Sequence, residues 1–544
     1  MLCARILGAC VLLLAAEGVS AQEHEHATGT GEKLGEVHFS TSCDEEAGKE
    51  FDRAVALLHS FQFSQAIQGF QATLKDDASC GIAYWGIALS DWSNPFAPGN
   101  KDARQLEAGR ASVELGKKTS AKTEREREYI ASVGMLYNDY ERRPQRARLM
   151  AYRDAMAGLV AKYPNDNEAR IFYALAIVES EDPADKTYGG RLKAGAMLEE
   201  LFQEEPNHPG LAHYIIHTYD VPPLAPRALE AARRYSEIAP DAPHALHMPS
   251  HTFTRTGYWQ DSVNSNVAAA ASAKRVGQTA EELHANDYLT YAYLQMGQDD
   301  AARRVVNSLP EIAARFEPKV VISGAAGPAA GYFALAAIPA RYALERGDWT
   351  QAAQLKPRET AFPYTEAMTW FARGYGFARM GQAAGAYEAA AALRQIHERL
   401  LKMDESYWAL QVQIQELEVQ AWAQMAEGKK EEGLKQIESA ALLEDGTEKS
   451  AVTPGPLAPA RELFGEMLLQ VNQPGAALGQ FEETLKREPG RFRALYGAGH
   501  AAQLSGNPQG SREYFRELLK VCEHADQPGR SELQEAAKAV SQKH

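Results

Sequence analysis

Histidines are concentrated in one part of this sequence. Of the 15 histidines in 544 residues, seven fall within residues 208–284, where an even spread would place about two. His213 and His217 are four residues apart, as are His247 and His251, so each pair lies on one face if its segment is helical. Neutral imidazole is a preferred ligand of zinc and also binds copper, nickel and iron. The two pairs therefore indicate a transition-metal site.

The two pairs also recur one structural unit apart. The interval from His213 to His247 equals the interval from His217 to His251, and it has the length of one helix–turn–helix repeat. First helices of consecutive repeat units pack side by side, with axes about 8–10 Å apart. We therefore predict that these four imidazoles share one ion, zinc or another divalent transition metal. The candidates for a further ligand or a supporting group are Asp220, His284 and Asp287.

Two alternatives to this metal-binding scaffold stay open. In one, the histidines form a metal-free polar groove that bonds to water and tyrosines and recognises a peptide. In the other, a metal supports hydrolysis, but HYIIH has Tyr214 and HMPSH has Met248 where an HExxH metalloprotease has its glutamate. Pro249, between His247 and His251, weakens the metal hypothesis because proline can interrupt a helix there. We therefore expect a binding scaffold more than an enzyme.

An internal period of about 34 residues, typical of helix–turn–helix repeats, organises the C-terminal part. Gly465 and Gly499 are separated by one such period, and so are Phe481 and Phe515. The same pattern, with small residues on both sides of a turn glycine, recurs around Gly257, Gly297, Gly347, Gly381, Gly428 and Gly506. No alternating strand pattern persists, so we predict an all-α chain whose helical hairpins build a right-handed superhelix, an α-solenoid.

These repeats resemble the tetratricopeptide (TPR) family over residues 47–521. The segments FDRAVALLHSF, CGIAYWGIALS, HYIIH and HMPSH are also similar to a group of exported bacterial repeat proteins with no established activity. The resemblance implies the solenoid fold and export, but no reaction. It also implies that the first helices line a concave groove, where a protein or peptide partner would bind. The residues expected in that groove beside the predicted metal ligands are His244, Tyr291 and His59.

The N-terminal residues are typical of a secretory signal peptide. An apolar run over residues 6–16 is followed by the small residues Val19, Ser20 and Ala21, which are typical of a cleavage site. The run is too short to span a membrane. We therefore predict a cleaved signal peptide over residues 1–21, a periplasmic or secreted protein and no integral membrane segment after cleavage. An uncleaved anchor is the alternative.

Three of the five cysteines, Cys43, Cys80 and Cys522, lie beyond the predicted cleavage site. Export makes a disulfide possible. Cys43 and Cys80 each precede a predicted helix and lie about one repeat apart, so we predict a bridge between them. Two free buried thiols are the alternative.

The formal net charge of −15 repels phosphate backbones, so we do not expect nucleic acid as a partner. A Gly/Ala/Pro-rich stretch interrupts the helical pattern and is predicted to separate two arms. The predicted segments after the signal peptide are a linker (22–46), an N-terminal arm with the histidine-lined groove (47–322), the break (323–331), a C-terminal arm (332–525) and a tail (526–544).

Overall fold

The computed structural model describes residues 31–541, apart from residues 98, 120, 183 and 321. The predicted signal peptide, residues 1–21, lies outside the described residues. From Lys33 onward the chain forms one compact unit. Its described residues are α-helices joined by turns and loops, with one short 3-10 helix (Ala225–Ala228) and no β-strand. The predicted all-α solenoid is confirmed.

The helices of the first half lead up to and include the histidine-rich stretch. They are α1 (Glu45–His59), α2 (Phe63–Asp76), α3 (Ala83–Trp92), α4 (Ala103–Thr119), α5 (Glu124–Gly134), α6 (Gln145–Lys162), α7 (Asn167–Glu179), α8 (Gly189–Glu204), α9 (Pro209–Thr218), α10 (Leu229–Ile238), α11 (Pro243–His247), α12 (Pro249–Arg255), α13 (Trp259–Arg275) and α14 (Thr279–Gln295).

The helices of the second half continue the same pattern of hairpins. They are α15 (Asp299–Arg315), α16 (Pro328–Glu345), α17 (Trp349–Gln354), α18 (Pro363–Arg379), α19 (Ala383–Lys402), α20 (Ser406–Ala426), α21 (Lys430–Asp445), α22 (Ala460–Gln470), α23 (Pro474–Arg487), α24 (Phe492–Leu504), α25 (Pro508–Val521) and α26 (Ser531–Ser541).

Helices pack in the manner of a repeat protein. Each hairpin joins successive helices, and helices two apart are also in contact, as in the series α14, α16, α18 and α20. Such stacking lets each unit bury its apolar face against the next one. None of the described helices is long and apolar enough to cross a membrane.

The turns between the two helices of a unit lie at the predicted glycines. Gly257, Gly297, Gly347, Gly381, Gly428 and Gly506 all have φ between 66° and 80°. Glycine adopts this left-handed conformation without a steric penalty and so ends the first helix of each unit. Asn472, one repeat before Gly506, has φ 57° at the equivalent turn, and asparagine is among the residues that tolerate it.

A disulfide joins Cys43 and Cys80, whose Cα atoms are 4.9 Å apart. The two residues lie just before α1 and just before α3. This is the pairing predicted from the sequence. The third cysteine of the described chain, Cys522, carries a buried free thiol.

The segment between α15 and α16 contains the first part of the predicted break. It runs along the N-terminal units, where the Ser64 amide donates to the Ser323 carbonyl and the Asn94 side chain donates to the Ala325 carbonyl. α16 then begins at Pro328, inside the predicted break. The division into two arms at residues 323–331 stays a prediction.

Residues 446–459, which we call the closing segment, pack against α14 and α16. Tyr288 donates a hydrogen bond to the Ala451 carbonyl at 3.2 Å. Arg341 donates to the Gly455 carbonyl at 2.9 Å and to the Pro456 carbonyl at 3.1 Å. The open groove that we expected from the resemblance is therefore filled at this position by the chain itself.

Small residues are required where helices approach closely. A Cβ atom on Gly499 would lie 2.5 Å from the Phe515 ring, whereas one on Gly479, in the middle of α23, would meet no atom within 4 Å. We expect Gly499→Ala to lower the free energy of unfolding by about 1–3 kcal/mol through overpacking. Gly479→Ala is expected to raise it by about 0.5–1 kcal/mol, because alanine favours a helix. Urea denaturation measures both, and equal effects would contradict the packing argument.

Candidate metal centre

Four helices position the histidines. α9 carries His213 and His217, α11 carries His244 and His247, α12 carries His251, and α14 carries His284. Because α9, α11–α12 and α14 are the first helices of consecutive units, their side chains meet on the inner side of the repeats. None of these six residues is more than 7% exposed.

The six imidazoles form two groups of three. In each group, the nitrogens available to a metal lie within 4.8 Å of one another. The first histidine group is His213, His217 and His244. The second histidine group is His247, His251 and His284. The two pairs predicted to share one ion are thus distributed over two groups, each completed by a residue that we had placed at the edge of the site.

Pro249 does not separate the second pair. Met248 keeps helical backbone angles (φ −54°, ψ −35°), and Pro249 occupies the first turn of α12, where its missing N–H is tolerated. The Nε2 atoms of His247 and His251 approach to 3.1 Å. The interruption that we expected from this proline is therefore slight.

Hydrogen bonds fix how the imidazole of His247 presents its nitrogens. Its Nδ1 lies 2.7 Å from the side-chain oxygen of Asn266. The amide nitrogen of Asn266 donates to the Ser262 carbonyl at 2.8 Å, so its oxygen is the atom turned toward the histidine. His247 Nδ1 therefore carries the proton, and its Nε2 presents a lone pair.

The same argument holds for His251. Its Nδ1 lies 3.0 Å from a carboxylate oxygen of Asp220, so Nδ1 donates and Nε2 presents a lone pair. Two lone pairs thus face each other across 3.1 Å between His251 and His247. A carboxylate or amide oxygen behind each imidazole is the arrangement that orients histidine ligands on metals.

Asp220 connects the second group to the surrounding charges. It accepts hydrogen bonds from Arg255 at 2.9 Å and from Lys449 of the closing segment at 3.3 Å. Burial would raise the pKa of this carboxyl, but Lys449, Arg255 and His251 hold it well below its usual range. Asp220 is therefore ionised and acts behind His251.

The first group has nitrogens without protein partners. His213 donates from Nδ1 to the His59 carbonyl at 2.6 Å, which leaves Nε2 with the lone pair. Among the described residues, no hydrogen-bond partner reaches His213 Nε2, His217 Nε2 or either ring nitrogen of His244. Such buried polar atoms are uncommon and normally have a role.

Aromatic rings enclose the first group. Phe61 lies with its ring centroid 4.3 Å from that of His213 and stacks on His244 at 5.5 Å. Phe96 stacks on His217 at 4.1 Å. Phe61 has φ 55°, a left-handed conformation that is strained for a residue with a side chain.

Burial keeps five of the six histidines neutral. It lowers the pKa of His251 to about 4 and that of His284 to about 3. It also lowers the pKa values of His213, His217 and His247 well below the ordinary range. Neutral imidazole is the form that coordinates metals.

Two residues predicted near the site lie elsewhere. Asp287, predicted as a ligand or supporting group, pairs with the buried Arg341 at 2.8 Å, because that guanidinium has to be neutralised. Tyr291, predicted in the groove, donates to Glu488 at 3.1 Å. Both residues follow His284 along one face of α14 but meet α16 and the C-terminal units instead of the histidines.

His59, expected as a groove residue, belongs to a third buried cluster that the sequence did not reveal. Glu168 accepts from His59 Nε2 at 2.9 Å and from His208 Nε2 at 3.0 Å. The other nitrogens lie 3.1 Å from the Tyr214 hydroxyl and 3.3 Å from the Leu211 amide. All four ring nitrogens are thus hydrogen-bonded, so this cluster is a structural network.

A cavity of about 470 Å³ opens onto both histidine groups. Its polar floor includes His217 and His244 from the first group and His251 and His284 from the second. Its apolar wall includes Phe96, Tyr332, Phe362 and Val452. The space suits a small molecule.

Comparison with known proteins does not assign this chain to a family. No protein-family model matches the chain, and no curated protein matches it. Among solved structures, it is similar to the human IFIT1 dimer with m7Gppp-AAAA, at 11% identity and a TM-score of 0.36, over 91% of this chain and 99% of that chain. It is also similar to the human IFIT1 dimer with PPP-AAAA, at 12% identity and a TM-score of 0.33, over 91% and 99% of the two chains. At these TM-scores, the likeness carries no argument about function.

We expect Glu168→Gln to lower the stability of the protein without changing how much metal the two histidine groups bind. The amide would present a donor to one of two histidine N–H groups, so we expect the free energy of unfolding to fall by about 2–3 kcal/mol. Zinc content, measured by elemental analysis, should stay that of the wild type. Glu46→Gln, at a side chain that is 81% exposed, is the matched control. A loss of zinc without a loss of stability would contradict the structural role.

Proposed function

We propose that this chain is an exported, TPR-like helical-repeat protein that binds a transition-metal ion through the second histidine group. The observation that carries the proposal is the approach of two imidazole lone pairs to 3.1 Å. Two nitrogens bound tetrahedrally to one zinc ion, each at about 2.0–2.1 Å, are about 3.3 Å apart. An ion placed between His247 and His251 would convert a repulsive contact into two bonds.

His284 supplies the third ligand of this site. Its ring centroid lies 4.4 Å from that of His247, and its nitrogen lies within 4.8 Å of the other two ligand atoms. Three protein ligands leave a fourth position, and two of the three, His251 and His284, line the cavity. Sites with three protein ligands and an open position exchange small ligands.

The ligand set selects the class of metal. Neutral nitrogen ligands favour zinc, copper, nickel or iron over magnesium and calcium, which require oxygen. Asp220 behind His251 and Asn266 behind His247 orient the ligands and increase their basicity. We propose zinc first, since it accepts three histidines without needing a redox partner.

A small ligand is favoured over a peptide at this position. The closing segment occupies the concave side next to α14, with Tyr288 and Arg341 bonded to its carbonyls. An extended or helical peptide needs a continuous open groove. The protein or peptide partner inferred from the repeats stays a prediction for other surfaces, and the negative net charge still disfavours nucleic acid.

Export is proposed from two independent features. The N-terminal sequence is typical of a signal peptide, and the Cys43–Cys80 disulfide is a bond that persists in oxidising compartments. A periplasmic or secreted location agrees with both. The resemblance to exported bacterial repeat proteins supports the same location.

A metal-dependent hydrolase is the second candidate function. The observation that favours it is the cavity lined by His251 and His284, because three-histidine zinc sites with access to solvent bind and ionise water. Hydrolysis of generic esters and peptides by zinc-loaded but not metal-free protein would support this candidate. Equal rates in both preparations would contradict it.

Zinc binding tests the proposed site directly. Protein purified without a histidine tag, stripped with a chelator and titrated with zinc is expected to take up the ion. At 100 times the Kd, the free energy of unfolding should rise by about 2.7 kcal/mol. His251→Ala combined with His284→Ala is expected to bind one zinc ion fewer per chain. Calorimetry and elemental analysis measure both effects.

The control for zinc binding is His524→Ala, which removes an imidazole that is 72% exposed and distant in sequence from both histidine groups. This variant should bind zinc like the wild type. Equal zinc content in the wild type and in the His251/His284 double variant would contradict the proposed site.

Mass spectrometry of the natively expressed chain tests export. We expect the mass of a chain that begins at Gln22. Alkylation of the denatured, unreduced chain should label one cysteine, Cys522. After reduction, three cysteines should be labelled, because Cys43 and Cys80 are released. A full-length chain with five reactive cysteines would contradict both the cleavage and the disulfide.

A further inference from the structure

The first histidine group has the properties of a second metal site. Its ligand nitrogens lie within 4.8 Å of one another. His213 is held with its lone pair on Nε2 by the bond from Nδ1 to the His59 carbonyl. Backbone carbonyls behind Nδ1 orient metal-binding histidines in the same way as carboxylates do.

Unpaired nitrogens are not a general property of buried histidines in this chain. In the cluster of His59, His208 and Glu168, each ring nitrogen has a hydrogen-bond partner. In the first group, His217 Nε2 and both nitrogens of His244 have none within the part of the chain that the structure describes. Equally buried imidazoles are therefore fully hydrogen-bonded in one cluster and not in the other. This difference indicates that the nitrogens without a partner bind a ligand.

The two groups adjoin one another. The ring centroids of His217 and His251 are 5.9 Å apart, and so are those of His244 and His247. The helix α11 supplies one histidine to each group. Both groups also open onto the same cavity, so a single small ligand can reach both of them.

The surrounding charge selects the ligand. Two divalent ions on six neutral imidazoles would carry four positive charges. Asp220 is already paired with Arg255 and Lys449. Glu281 lies 3.9 Å from His244 Nδ1 and also accepts from the Ala326 amide. The centre therefore keeps an excess of positive charge in a buried site, which favours an anion.

We propose that the two histidine groups form a two-ion centre, with one transition-metal ion on each group and a small anion such as hydroxide or an oxyanion bound between them from the cavity. The proposal rests on the proposed function for the second group and adds the first group to it. Binding of the two ions and the anion neither forms nor breaks a covalent bond of the polypeptide.

Metal stoichiometry tests this proposal, with cobalt(II) as the probe because its paramagnetism reports on neighbouring ions. Untagged, metal-free protein is expected to bind two cobalt ions per chain. Their electron paramagnetic resonance signal should be much weaker than that of two isolated ions, because the pair is magnetically coupled. Azide is expected to change the cobalt absorption spectrum with one azide per pair of ions.

Two variants assign the ions to the groups. His244→Phe keeps an aromatic ring stacked on Phe61 but removes a ligand, so we expect one cobalt ion with an uncoupled signal. This variant is expected to melt at a higher temperature than the wild type when both are metal-free, because two buried nitrogens without a hydrogen-bond partner are removed. A merely structural histidine would give the opposite shift. His217→Ala, at a residue that lines the cavity, should also bind one ion.

The outcomes separate the two proposals. One ion in the wild type and one in His244→Phe would overturn the second site and leave the proposed function intact. Two ions in both proteins, or two uncoupled ions in the wild type, would overturn the paired centre. No ion in the wild type would overturn the proposed function as well.

Discussion

Completed pairs of buried charges hold this solenoid closed, and the rest of the structure depends on them. Arg341 on α16 is 1% exposed and is neutralised by Asp287 on α14. Arg491, before α24, is fully buried and pairs with Glu462 on α22 at 2.7 Å. A buried ion that loses its partner destabilises a protein by several kcal/mol. Arg491 also lies 2.6 Å from Glu345 on α16, so the central and C-terminal units share a buried charge pair and stabilise each other.

These pairs determine what surrounds the histidines. Because Arg341 bonds to the carbonyls of Gly455 and Pro456, the closing segment is held against α14 and α16. The same segment brings Lys449 to Asp220 and so completes the hydrogen-bonded support of His251. The charged framework is thus continuous with the second histidine group through Asp220.

Local signals in the sequence predicted the fold and the meeting of the histidines. The turn glycines have positive φ because nothing else adopts that backbone as easily, and this preference is readable from single residues. The step of one repeat from His213 to His247 placed two pairs in equivalent positions. The repeats also placed His244 and His284 near these pairs, but which pair each one completes depends on how neighbouring helices are rotated, and periodicity does not state that.

Long-range contacts explain what the sequence did not predict. Tyr288 bonds to the closing segment 163 residues further along the chain, so the filling of the groove has no local signal. Asp287 looked like a ligand because it lies near His284 on α14, but its partner Arg341 lies 54 residues away. Glu168 joins His59 and His208 across separations of 109 and 40 residues. Each of these depends on the closure of the repeats.

The depth of the histidines has a consequence for kinetics. A bound ion would be sealed behind Phe61, Phe96 and the closing segment, with the cavity as its route to solvent. The rate at which the ion dissociates would then depend on how often the protein opens locally, and not on the strength of the metal–nitrogen bonds alone. Such a centre retains its ion through long excursions in the concentration of free metal around the protein.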